Sequence, residues 1–83
     1  MAINVPKVRV IDGVLLIHKG LEKRVSIGSH DEKDRKVVHI SAIVTPDFLQ
    51  LDITYDDNSV TTFAYNIKDV SGYEIYYKVK DIV

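Results

Sequence analysis

The amino-acid sequence predicts an all-β protein, a small antiparallel barrel or two-layer sandwich of six or seven short strands. Three observations carry that prediction. Apolar and polar residues alternate in segments such as "KVVHISAIV" and "FLQLDITY", and a period of two is the mark of a half-buried strand. Turn-forming residues recur at short intervals, at Asp12-Gly13, Gly20, Gly28, Thr45-Pro46-Asp47 and Asp56-Asp57-Asn58. Apolar residues at helical spacing are scarce, which leaves room for one short helical turn near residues 66–72. A chain of 83 residues supports one hydrophobic core, so residues 1–83 are read as a single β domain.

Taken in order, "VRVIDGVLLIH" places Asp12-Gly13 between two β-rich runs. A type I′ turn needs positive φ at both central residues, and Asp-Gly supplies it. The expected hairpin pairs Ile11 with Val14 and Arg9 with Leu16. Val8, Val10, Leu15 and Ile17 then form an apolar core face. Arg9, Ile11, Val14, Leu16 and His18 form a second, mixed face. The next strand covers about residues 22–27 and leads into a polar loop whose residues 31–36 carry three charges of each sign. "KVVHISAIV" sets Val38, Ile40, Ala42 and Val44 on one side and Val37, His39, Ser41 and Ile43 on the other.

The next hairpin is solved by register. A loop of Asp56-Asp57-Asn58 pairs Tyr55 with Ser59, Ile53 with Thr61 and Leu51 with Phe63. It gathers Leu49, Leu51, Ile53, Tyr55, Phe63 and Tyr65 on one face, whereas a one-residue slip expels Phe63 and Tyr65. Asparagine suits the left-handed third position of such a loop. In "NIKDVSG", Asn66 caps a helical turn that Gly72 stops. The last strand sets Tyr73, Ile75, Tyr77 and Val79 inward.

Several chemistries are disfavoured. The chain has no cysteine, so thiolate metal sites, disulfides and a cysteine nucleophile are excluded. Its isolated glycines make neither a phosphate loop nor a dinucleotide motif. Asp52, Asp56, Asp57 and Asn58 are close oxygen donors, but their spacing is not that of a calcium loop, and they read as turn residues. His18, His30 and His39 lack the clustered spacing of a zinc site. No enzyme activity, cofactor, metal or membrane partner is expected. The start of the chain lacks the apolar core of a signal peptide, and the expected location is cytoplasmic.

Two binding readings remain. The mixed face of Arg9, Ile11, Val14, Leu16 and His18 has apolar residues at its centre and charge at its rim, as interfaces do. It points to a small non-catalytic β interaction protein, self-associating or bound to a protein partner. The alternative is nucleic acid. Residues 19–36 are net +2 and residues 47–74 net −5 within an overall charge of −1. Arg24, Lys33, Arg35, Lys36, Tyr76 and Lys78 would then supply phosphate contacts and stacking.

Overall fold

The computed structural model describes residues 6–81. Six strands are formed: β1 (Lys7–His18), β2 (Leu21–Ser26), β3 (Val37–Val44), β4 (Phe48–Tyr55), β5 (Val60–Asn66) and β6 (Val70–Asp81). A 3-10 turn, Ile67–Asp69, joins β5 to β6. The strands make two three-stranded antiparallel sheets, in the orders β2-β1-β6 and β3-β4-β5. The all-β class is the one the alternation predicts, and two three-stranded antiparallel sheets fit the expected barrel or two-layer sandwich.

The second hairpin has the expected register. Leu51 pairs with Phe63 and Ile53 with Thr61, and the Tyr55 amide donates to the Ser59 carbonyl at 2.9 Å. Asn58 takes a φ of 68°. Asp57 Oδ1 accepts from the Ser59 amide at 2.9 Å, so the acidic knot builds its own turn. Asn66 caps the 3-10 turn, its side-chain oxygen accepting from the Lys68 amide at 3.1 Å. Thr45 Oγ1 closes the turn between β3 and β4 by accepting from the Phe48 amide at 3.0 Å.

The first hairpin is not where the sequence places it. β1 runs unbroken through Asp12-Gly13, and the turn is Lys19-Gly20, with φ of 50° and 78° and His18 opposite Leu21. Lys-Gly meets the positive-φ requirement of a two-residue loop there. Asp12 is instead an extra residue in a bulge, since Ile11 pairs with Tyr77 and Gly13 with Tyr76. A Cβ on Gly13 would meet the Val25 carbonyl oxygen at 3.3 Å, so the glycine serves close strand packing rather than a turn. Gly72 likewise is no stop; it pairs with Ile17 inside β6.

The inward face of β1 is also reversed. The bulge puts Arg9, Ile11, Val14 and Leu16 on one face, as the hairpin reading did, but that face is the core. Val14 and Leu16 are each 1% exposed, whereas Val8 and Ile17 are about 40% exposed. Cross-strand neighbours decide this. Val14 lies between Val25 and Ile75, while Leu15 lies between Arg24 and Glu74 and Ile17 beside Glu22. Burying the face of Leu15 and Ile17 would take those charges out of water. A bulge in β3 between Val37 and His39 brings buried Val37 to the side of Ile40, leaving Val38 exposed.

The core joins Val14 and Leu16 to Val37, Ile40, Leu49, Leu51, Ile53 and Tyr55. Phe63 lies at its margin, 40% exposed, and stacks on Tyr65 with ring centroids 6.4 Å apart. No core residue comes from residues 7–10 or 76–81. β1 pairs with β2 only from Gly13 onward but with β6 along its whole length. The far end of these two strands is therefore a two-stranded ribbon beyond the sandwich, and the molecule is 53 Å long.

Candidate interaction surface

The sheet β2-β1-β6 has an inner face against the core and an outer face turned to solvent. Along β1 the outer face carries Val8, Val10, Leu15 and Ile17, flanked by Glu22 and Arg24 on β2 and by Glu74, Lys78 and Lys80 on β6. This is the anatomy of an apolar centre with a charged rim, on the face opposite to the one the sequence suggests. The expected interaction residues are distributed as follows. Val14 and Leu16 are covered by the second sheet, so they offer nothing to a partner. Ile11 packs against the core margin. His18 lies on Tyr65 of β5, ring centroids 4.9 Å apart. Arg9 is the exposed member of the set, its guanidinium 4.7 Å above the Tyr77 ring on the ribbon, while Ile11 and His18 are half-buried.

The ribbon and β6 expose more apolar surface than the rest of that sheet. Tyr73 is 44%, Tyr76 49%, Tyr77 50% and Val79 57% exposed, so the expected inward set of Tyr73, Ile75, Tyr77 and Val79 buries only Ile75 against the core. The alternation is right, but the strand outruns the second sheet. One edge of β6 is hydrogen-bonded to β1, and the other has no strand beside it among the described residues. Tyr76 donates its hydroxyl to the Glu74 carboxylate, and that bond raises the phenol above its ordinary pKa.

The basic residues do not form one patch. Lys33, Arg35 and Lys36 belong to the β2–β3 loop, and Arg24, Tyr76 and Lys78 to the sheet β2-β1-β6. Arg35 is engaged: Nη2 donates to Asp31 Oδ2 at 2.6 Å, Nη1 donates to Ser59 Oγ at 2.9 Å, and the guanidinium lies 4.0 Å from the Tyr55 ring centroid. The hydrogen bond from Arg35 holds Asp31 below its ordinary carboxylate pKa. Bonds from Ser59 do the same for Asp57. Arg24 Nη2 donates to Glu22 Oε1 at 2.8 Å.

A cleft of about 340 Å³ opens between the sheets on the side of β2 and β5. Its apolar floor is Val14, Leu16, Leu51 and Ile53 of the core, each 3% exposed or less. Among the described residues no three histidine or acidic side chains converge as a metal site, and no helix is long and apolar enough to cross a membrane.

Compared with known protein families, with curated proteins and with solved structures, the chain matches none. In the sequence the first and last strands are candidates for unpaired edges unless they pair with each other; they do pair, and the edge of β6 away from β1 has no strand beside it among the described residues. What the sequence did not show is how far β6 runs past the eight-residue strands β3 and β4.

Proposed function

We propose that this chain is a non-catalytic β interaction module that works by self-association, its partner a second copy of itself. The observation that carries this reading is β6, a twelve-residue strand with no strand on its outer edge among the described residues and four large apolar side chains at 44% exposure or more. An exposed, long edge strand is a template for another strand. Two-stranded ribbons are marginal alone in water, and the ribbon here gains stability once a neighbour lies beside it. Nucleic acid is the weaker reading, because Arg24 and Arg35 already hold carboxylates and the remaining cations are split between two parts of the fold.

Sedimentation equilibrium tests the proposal. The expected result is a reversible dimer forming in the micromolar range. A chain that stays monomeric at roughly 200 μM, where a contact of even −5 kcal/mol would begin to show, overturns it.

A further inference from the structure

We infer that two copies join edge to edge through β6, antiparallel, about a two-fold axis at Tyr76, with Glu74 of each copy facing Lys78 of the other. The inference rests on the self-association proposed above and specifies its geometry. β6 uses one edge for β1 from Val70 to Asp81, so only the other edge is open to a second chain. In an antiparallel pair related by an axis normal to the sheet, each residue and its opposite lie on the same face. Because faces alternate along the strand, the axis must pass midway between a residue and its own copy, and the register shifts in steps of two.

Few registers are therefore available, and side chains separate them. An axis at Lys78 sets that lysine against its own copy. An axis at Ile75 places Glu74 opposite Tyr76 and matches no charges. An axis at Tyr77 places Glu74 opposite Lys80 but Tyr73 opposite Asp81. An axis at Tyr76 places Glu74 opposite Lys78 twice, Tyr73 opposite Val79 and Ile75 opposite Tyr77. Opposite charges and aromatic–aliphatic pairs facing one another both stabilise a sheet.

The same register accounts for the overhang. Residues 77–81 of one copy lie beside residues 71–75 of the other, which belong to its sandwich. The β6 strand of each ribbon then has a strand on both sides, β1 of its own copy and β6 of the other, in a sheet ordered β2-β1-β6-β6-β1-β2. The side chains covered are the exposed ones, Tyr73, Tyr77 and Val79. No charge within the chain competes across β1, where Glu74 faces Leu15 and Lys78 faces Val10. Lys78 has no carboxylate within ion-pair distance among the described residues.

Charge reversal at these exposed positions tests the register by sedimentation, with circular dichroism to verify folding. Glu74→Lys and Lys78→Glu should each weaken dimerisation by about tenfold or more, since two attractive pairs become two repulsive ones. The double variant should recover wild-type association. An equimolar mixture of the two single variants should form heterodimers, because each charge then meets its opposite. Single variants that dimerise like the wild type overturn the inference. So does Lys80→Glu restoring Glu74→Lys, which would put the axis at Tyr77. A wild type that never dimerises overturns the proposed function itself, whereas these variant results overturn only the register.

Discussion

Neighbouring residues on β1 have opposite fates, and this gives the sharpest prediction at the residue scale. Leu16 is 1% exposed and Ile17 39%. Leu16→Asp buries an unpaired carboxylate and should abolish the folded circular dichroism spectrum. Ile17→Asp places its charge in water and should stay folded, with stability within about 1 kcal/mol of wild type. Phe63 is a second case. Full burial would make Phe63→Ala cost about 3–5 kcal/mol. At 40% exposure the expected loss in urea unfolding is nearer 1–2 kcal/mol, because part of the ring already meets water. The sequence identified the pairing of Phe63 with Leu51 correctly. It could not show that β5 is an edge strand, where the core ends.

Among the elements, the β2–β3 loop shows how a charged segment becomes ordered. Asp31 Oδ1 accepts from the Lys33 and Arg35 amides at 3.0 and 2.8 Å, while Oδ2 accepts from the Arg35 side chain. Arg35 continues to Ser59 and the Tyr55 ring, fastening this loop to the β4–β5 hairpin. The folded state lowers the Asp31 pKa from 3.8. The ionised carboxylate therefore favours folding above that value, and the contribution is lost as pH falls through the depressed one. Denaturant midpoints measured from about pH 5 to pH 2 should fall with acid, and Arg35→Met should flatten that fall. Some slope should persist from Asp57, whose pKa is lowered mainly by Ser59. In sequence the loop reads only as a run of mixed charge. The Asp31–Arg35 link was not visible because it depends on a folded loop, with Asp34 at a φ of 60°.

The whole molecule is longer than its chain length requires. Its radius of gyration is 14.8 Å, against roughly 12 Å for a compact domain of this size. The excess is the β1–β6 ribbon, and self-association links that shape to stability. A dimer binds folded chains and not unfolded ones, so its melting temperature depends on concentration. A tenfold increase in protein should raise Tm by roughly 3–5 °C in calorimetry, and Glu74→Lys should shift the onset of that rise to about tenfold higher concentration. A Tm independent of concentration would mean the chains melt as monomers.

What the sequence determined by itself was local. Period-two alternation specified strands, Asn58 and Asn66 specified a turn and a cap, and the demand that Tyr65 share a face with Leu49, Leu51 and Ile53 selected the β4–β5 register. These follow from backbone sterics and from pairing between strands adjacent in sequence, so a short window contains the information. The tertiary structure alone decided which strand lies in the middle of the sheet β2-β1-β6. Asp12-Gly13 satisfies a turn as well as a bulge, and Val8, Val10, Leu15 and Ile17 look as apolar as Val14 and Leu16. The choice was made by β6, more than fifty residues away in sequence, whose pairing with β1 makes that strand central and sets Glu74 beside Leu15 but Ile75 beside Val14. A buried face is chosen by what the neighbouring strands require to stay in water, and those neighbours are known only once the chain has folded.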